Sequence, residues 1–388
     1  MSGPLTVMLV CGEPSGDQLG AQLMAGLRAL DTDVRITGVG GPAMTAQGLD
    51  SLFPLDATAV MGLREVVPRI PSILRRVRAA SDFALATRPD VMVCIDSPDF
   101  THRIARRVKR LAPDILAVNY VAPQVWASRQ YRAHKMSHYF DLVLALFPFE
   151  APFFEAHGLH AKFVGHPVIE RSRLMTGGEA LRARLGIGRD APLLAVLPGS
   201  RTSEVNLLLP VFRDTVARVV REIPGLVCVL PAVAHVAARV REGTRDWPAP
   251  IHLLEGDADK YAAFDAADVA LAASGTVTTE LALARTPMAV AYKLGWLTYA
   301  LMRPLIRAPY ATLVNILLER EAVPEFIQSR CKPELLANAV DRLFSDPSAR
   351  EKQVRDLEEA TADLGRGGEA PSLRAARVLL DFARDRRV

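Results

Sequence analysis

Asp268 to Glu280 reads DVALAASGTVTTE. Val269 to Ala273 are apolar and fit a buried strand, Ser274, Gly275 and Thr276 make a turn of small residues, and Thr278 onward has helix-start chemistry. Strand, tight loop and helix N-terminus in succession present free backbone N–H groups, the positive end of a helix dipole and nearby hydroxyls, which suits a phosphate or diphosphate. Glu280 lies one turn in, where its carboxylate could accept hydrogen bonds from ribose hydroxyls. Alone, the stretch reads equally well as an ordinary capped turn of an α/β protein. The rest of the chain decides between the two.

Outward from this stretch the same grammar repeats. Leu193 to Leu197, Val227 to Leu230, Ile251 to Leu254 and Met288 to Ala291 are apolar strand-like runs separated by helical segments. Toward the N-terminus, Leu5 to Cys11 runs into GEPSGDQLG and then a helical pattern in Leu19, Leu23, Leu27 and Leu30. Val34 to Val39, Val91 to Ile95, Ile115 to Tyr120 and Leu142 to Leu146 continue the alternation. Apolar strands alternating with helices predict parallel sheets covered on both faces, with each strand's C-terminal loop opening onto a ligand crevice. Between the halves, GHPVIERSRLMTGGEALRARLG loses the strand pattern and reads as a linker. The expectation is an α/β chain of two tandem Rossmann-like domains facing a cleft: 1–165, a linker at 166–190, 191–345, and charged C-terminal helices at 346–388. GT-B glycosyltransferases have this plan, and so do some epimerases and two-domain binding proteins.

Composition narrows the class. The 388 residues are half hydrophobic and 23% charged, as in a globular protein, and too many for one ordinary core. A formal net charge of +4 favours an anionic surface or substrate but is too small to argue for nucleic acid. Cys11, Cys94, Cys228 and Cys331 lie far apart and read as reduced core residues, with no CxxC pair to suggest zinc. No charged and apolar leader precedes Leu5, and no apolar run reaches membrane-spanning length, so a cytoplasmic protein is expected.

Four loops carry candidate chemistry. In GEPSGD, Gly12 and Gly16 allow a tight turn and close ligand approach, Ser15 adds a hydroxyl, and Glu13 and Asp17 bring carboxylates to the cleft. Asp17 also reads as a residue serving the helix N-terminus. In IDSPDF, a carboxylate leaving a buried strand suits a general base that takes a proton from an attacking hydroxyl. Asp96 leaves the strand first and is the favoured base, while one of Asp96 and Asp99 can equally cap the following helix. In PGSRTSEV, Gly199 and Ser200 free the backbone and Arg201 adds a permanent cation. In YVAPQVWASRQYRAHK, Arg129 or Arg132 would suit a phosphate and Trp126 a stacked ring or a packed core position. His134 and His138 have no third ligand to form a metal site. DTD at Asp31 to Asp33 and DAD at Asp257 to Asp259 match a metal-binding triplet only as chance would allow, and neither a metal nor a cofactor is expected.

Two stretches have membrane character. RIPSILRRVR, from Arg69, puts Ile70, Ile73, Leu74 and Val77 on one helical face with arginines around the other, and Val66 and Val67 extend the apolar surface. Pro68 and Pro71 predict a short helix, since proline is tolerated only in a first turn. WLTYALMRPLI, Trp296 to Ile306, reads as a core helix, a dimer contact or a lipid-facing surface.

In chain order, GEPSGDQLGA, GVGGPAM, VMGLREV, IDSPDF, APQVWA, LFPFE, VGHP, LPGSR, ASGT and LVN (Leu313 to Asn315) resemble lipid-A-disaccharide synthases, from near Leu5 to about Ala337. The resemblance implies an inverting GT-B enzyme that moves 2,3-diacylglucosamine from UDP-2,3-diacylglucosamine to the 6-hydroxyl of 2,3-diacylglucosamine 1-phosphate. It further implies a peripheral enzyme of the inner membrane's cytoplasmic face and a homodimer with exchanged C-terminal segments. In the family the Asp matching Asp96 is the proposed base, and residues matching Glu13, Arg201 and Asn315 belong to the active site. The family's loop usually reads SPSVWAWR where this chain has APQVWASR, so with Ser128 in place of the second tryptophan no stacking role carries over. The acceptor and base are then expected in the first domain and the UDP-sugar donor in the second. Ser274, Gly275 and Thr276 would cradle the diphosphate, and Glu280 would contact the ribose. Another UDP-sugar transferase, a UDP-sugar epimerase or a non-enzymatic nucleotide-binding module remain the alternatives.

Overall fold

Short runs of Val, Leu, Ala and Cys without polar alternation are stable only as strands covered on both faces, and both sheets of the chain are of that kind. The computed structural model of the chain describes residues 3–55, 63–123, 130–295, 299 and 309–386, with 63–70 described by backbone alone. Contacts divide the chain into two units, Met1–Pro167 with Gly367–Val388, and Val168–Arg366.

The first unit holds β1 (Thr6–Cys11), β2 (Arg35–Val39), β3 (Val91–Ile95), β4 (Leu116–Tyr120), β5 (Leu142–Ala145) and β6 (Ala161–Phe163), in the order β2-β1-β3-β4-β5-β6. All neighbours are parallel, and Val7 pairs with Val91 through to Cys11 with Ile95. One face of this sheet packs Met8, Val10, Met92 and Cys94 against Ile104 and Val108 of the helix Pro98–Leu111. The last helix, Pro371–Asp385, lies on Pro14–Leu30. Gly26 marks that crossing, because a Cβ there would come within 2.8 Å of the Ser372 carbonyl oxygen.

The second unit holds β7 (Leu193–Leu197), β8 (Val227–Ala232), β9 (Ile251–Glu255), β10 (Val269–Ala273), β11 (Met288–Tyr292) and β12 (Glu325–Ile327), ordered β12-β11-β10-β7-β8-β9 and again all parallel. Its core packs Leu194, Val196 and Leu271 against Val205, Phe212 and Val216 of the helix Thr202–Glu222. Two Rossmann-like sheets in tandem are the GT-B plan. All four cysteines are buried and free.

The short helix expected near Arg69 is instead a helix of 25 residues, Leu63–Thr87, with Pro68 and Pro71 inside it. Packing explains the difference: Val77, Ala80 and Ala84 are buried in the first core, and that face outweighs two lost backbone donors. The 166–190 stretch contains a 3-10 helix, Pro167–Leu174, and the helix Gly178–Leu185. Among the described residues no helix is long and apolar enough to cross a membrane.

Candidate active site

In an open parallel sheet, ligands bind where the strand order reverses, at the carboxyl ends of the two strands that flank the reversal. The first sheet leaves β1 toward β2 and returns on the other side of β1 as β3. The second leaves β7 toward β8 and returns beside β7 as β10. The loops after these four strands are GEPSGD, DSPD, PGSR and SGT. Topology therefore gathers four of the sequence motifs at two switch points, one in each unit.

At the first switch point, in-register pairing of Cys11 with Ile95 brings the two loops out of the sheet at the same height. Gly12 runs so close to Ser97 that a Cβ on it would fall 2.7 Å from the serine Cβ. Gly16, in the first turn of the helix Pro14–Leu30, is buried, and a Cβ on it would crowd the Cys11 Cβ at 3.0 Å and the Ile95 carbonyl oxygen at 3.2 Å. Ser15 Oγ donates to Asp96 Oδ2 at 3.0 Å. Asp96 and Ser97 both have left-handed backbone, with φ of 53° and 45°, a strained pair for residues other than glycine. Thr101 holds that turn, its Oγ1 donating to the carbonyls of Asp96 at 2.7 Å and Ser97 at 3.1 Å. Burial, and then the charge of Asp96, raise the Glu13 carboxyl above its usual range, partly offset by the Ser97 hydroxyl. The result is a carboxylate pair in which Glu13 retains its proton to higher pH than an ordinary glutamate, beside an aspartate that accepts a hydroxyl hydrogen bond.

Asp17 lies apart from this pair. It is buried and accepts from the backbone N–H groups of Gly41, Ala43 and Met44 at 2.7, 2.8 and 3.0 Å, tying the short helix Pro42–Ala46 to the first turn of Pro14–Leu30. Asp99 is exposed in the first turn of Pro98–Leu111.

At the second switch point the loops after β7 and β10 line one pocket of about 270 Å³, with Gly199, Ser200, Arg201, Ser274, Gly275 and Thr276 in its wall. The helix Thr276–Leu283 begins there, and a Cβ at Gly275 would meet nothing within 4 Å, so its backbone faces open space. Gly199 has φ 113° and lies against Glu204, so any side chain there would be strained and would collide. Ser274 Oγ donates to the Ala311 carbonyl at 3.0 Å, fixing the turn from outside the pocket. Glu280 also lines the pocket, but its carboxylate is buried and already accepts from Arg171 Nη1, Lys260 Nζ and Tyr261 Oη, at 3.2, 3.2 and 3.3 Å, all on Oε1. Oε2 receives only Lys260 at 3.2 Å among these and keeps acceptor capacity. Burial works against the Lys260 ammonium, but Glu280, then Tyr261 and Asp257, outweigh it and hold the group above its ordinary pKa.

Asn315 is fully buried and spent on structure. Its Nδ2 donates to the Val323 carbonyl and Glu325 Oε1 at 2.7 and 2.8 Å, and its Oδ1 accepts from the Ala322 and Val323 amides at 2.8 Å. The buried Glu325 accepts in turn from the amides of Ala311 and Thr312. Asn315 therefore reaches the pocket through Glu325 and Ala311, at the carbonyl that Ser274 binds.

Of the expected acyl-contact residues, Val66, Val67 and Ile70 have side chains outside the described residues. Ile73 packs against the first core and Leu74 is 46% exposed. Trp126 and Arg129, and nearly all of Trp296 to Ile306, also lie outside them. The DxD triplets are engaged elsewhere: Asp31 with Arg384 and Asp259 with Arg184 at 2.6 Å each, Asp257 with Lys260 at 3.4 Å. Among the described residues no group of histidine, cysteine and carboxylate side chains could hold a metal.

Sequence reasoning passed over Glu204, Lys260 and Arg171. Glu204 was legible as the glutamate at the third helical position that commonly closes a capping box. Lys260 follows the DAD triplet and Arg171 sits in the linker stretch, and neither carried a local signal.

Comparison with known proteins bears on the family and the fold. Residues 7–374 match the family model described as lipid-A-disaccharide synthetase. A lipid-A-disaccharide synthase of Rhodospirillum centenum is 49% identical over 97% of this chain and 94% of its own length, and one of Ruegeria pomeroyi is 47% identical over 97% and 95%. In fold, the chain is similar to the S. aureus MnaA-UDP co-structure, with a TM-score of 0.67 at 13% identity, covering 98% of this chain and 97% of that one. On these matches and on the ordered motifs at both switch points, the chain belongs to the lipid-A-disaccharide synthase family, glycosyltransferases of lipid A biosynthesis.

Proposed function

We propose that the protein transfers 2,3-diacylglucosamine from UDP-2,3-diacylglucosamine to the 6-hydroxyl of 2,3-diacylglucosamine 1-phosphate, with inversion. The oxygen of that hydroxyl attacks the anomeric carbon, its proton passes to Asp96, and the bond to the diphosphate breaks with its electron pair leaving on UDP. A β-1,6 disaccharide 1-phosphate results. Asp96 is the general base, oriented by Ser15 and by the strained turn that Thr101 holds. Glu13 shares the site as a carboxyl that holds its proton above the usual glutamate range. Gly12 and Gly16 let the two loops close together.

In the second unit, Ser200, Arg201 and the Ser274–Thr276 turn take the diphosphate, and Arg201 with the helix N-terminus stabilises the charge that develops on it. Glu280 meets the ribose through Oε2. Leu74 and the exposed arginines Arg75 and Arg78 of the helix Leu63–Thr87 lean on the cytoplasmic face of the inner membrane, where both acylated substrates reside. The working form is a homodimer in which the packing of Pro371–Asp385 on Pro14–Leu30, seen within one chain, is made with the partner's copy.

The observation that carries this reading is the placing of a carboxylate pair at one topological switch point and a cation with a helix N-terminus at the other. The test is incubation with both substrates and mass spectrometry of the products. A disaccharide 1-phosphate is expected. Its absence with wild-type protein, or turnover of a lipid-free UDP-sugar alone, overturns the reading in favour of another UDP-sugar enzyme.

A further inference from the structure

Two residues beyond Asp96, the helix Pro98–Leu111 and the helix Tyr131–Met136 enclose another pocket, of about 320 Å³. Its wall carries four cations, Arg103, Arg106, Arg132 and Lys135, and one carboxylate, Asp99. Among the described residues none of the four is ion-paired. Arg103 Nε donates to the Asp99 carbonyl at 2.9 Å, and Arg106 lies over the Tyr139 ring, 4.6 Å from its centroid, with Nη2 donating to Tyr139 Oη at 3.1 Å.

A buried donor points the same way. His102 lines this pocket and is 6% exposed, and its Nδ1 stands 3.2 Å from Tyr139 Oη. Burial, with the charges of Arg106 and Arg132, pushes the imidazole down to about 3, so the ring is neutral. With Tyr139 Oη receiving a hydrogen from Arg106 and giving its own to Nδ1, the ring proton of His102 is assigned to Nε2. That Nε2 has no partner among the described residues. The buried donor without a partner is the costly feature, and an anion drawn in by the exposed Arg103, Arg106 and Lys135 and the half-buried Arg132 would complete it.

Resting on the transfer reaction above, we propose that this pocket holds the phosphate monoester of the acceptor while the 6-hydroxyl of the same sugar reaches Asp96. Pro98 follows Asp96 closely, and His102 and Arg103 lie roughly 6 Å farther along the helix axis, about the span of one sugar ring. A phosphate monoester carries about −1.5 to −2 charges near neutral pH and answers several cations at once, which a free hydroxyl does not. A phospholipid headgroup offers related chemistry as a diester, and the experiment separates the two.

Arg132→Ala and His102→Gln are compared with wild type in steady-state assays. Because Arg132 is only half-buried, its variant stands as the reference if the His102 variant fails to fold. The expected result is a rise of about tenfold or more in KM for the 1-phosphate acceptor, with KM for the UDP donor unchanged. With an acceptor lacking the 1-phosphate, wild type and variants should perform alike. Binding to phosphatidylethanolamine vesicles, with or without phosphatidylglycerol, should not change. An unaltered acceptor KM overturns the proposal, and so does a vesicle-binding defect confined to anionic vesicles, which assigns the pocket to a headgroup. Titration with inorganic phosphate, followed by phosphorus NMR, tests the pocket even if no disaccharide forms. Loss of that binding in Arg132→Ala supports the site, and equal binding by both proteins overturns it.

Discussion

Glu204 closes over Arg201: its Oε1 holds the Arg201 Nη1 at 2.7 Å, while its Oε2 accepts from the backbone amides of Ser200 and Arg201 at 3.1 and 3.3 Å. Under the proposed donor assignment, the groups that would take the diphosphate are thus occupied by a carboxylate of the same helix. A nucleotide must compete with that charge. Glu204→Gln keeps the capping geometry and removes the negative charge, so it should tighten UDP binding roughly fivefold, while Arg201→Ala should weaken it about tenfold. Calorimetric titration with UDP reads both, and weaker binding by the Gln variant would sink the competition argument.

The contact between Ser15 and Asp96 sets the proposed base beside the residue that would orient it. Asp96→Asn preserves the shape of the turn but cannot take the proton, so kcat should fall by about 10² to 10⁴ with KM for the donor unchanged. Ser15→Ala removes one exposed hydrogen bond and should cost less than about tenfold. Initial-rate kinetics on both variants decide the point. An Asp96→Asn protein with wild-type kcat would move the base elsewhere, with Glu13 the first candidate.

Much of this site was legible in the sequence because strand-to-loop boundaries are local. Val269–Ala273 and Leu193–Leu197 have the bounds that their apolar runs predict, and the glycine-bearing loops follow directly. The edge strands Ala161–Phe163 and Glu325–Ile327 carry too few residues for a pattern and depend on pairing with β5 and β11. Asp17 and Asn315 are polar residues in motifs, and sequence cannot tell a polar residue that faces a ligand from one that satisfies buried amides. The Glu280 partnership with Arg171 joins residues 109 positions apart, a relation that no local spacing announces.

Glu13 gives a pH dependence of definite sign. Its carboxyl is raised in the folded protein, chiefly by burial and then by Asp96, so the folded state binds its proton more tightly than the unfolded chain. Its contribution to stability is therefore complete below the ordinary glutamate range and is lost as pH rises through the raised value. Glu13→Gln removes that loss. Melting curves should show the variant more stable than wild type near pH 7.5 and no more stable near pH 4. A variant that is less stable at neutral pH would show that the Glu13 charge is compensated.

Asn315 tests whether a motif residue acts by touching substrate or by holding what does. Its side chain answers two amides and a carbonyl and donates to the buried Glu325, so Asn315→Ala leaves all four short of a partner. A loss of about 4 kcal/mol follows from unsatisfied buried groups, one of them charged. The segment at Ala311 and Thr312 that Glu325 anchors would loosen, and with it the carbonyl to which Ser274 donates. Thermal melting should drop by several degrees, and UDP affinity should fall with it. Asp96 chemistry in the protein that remains folded should persist, seen as a higher donor KM with kcat little changed. A variant that melts with the wild type yet has lost kcat would instead give Asn315 a direct contact with the reacting groups.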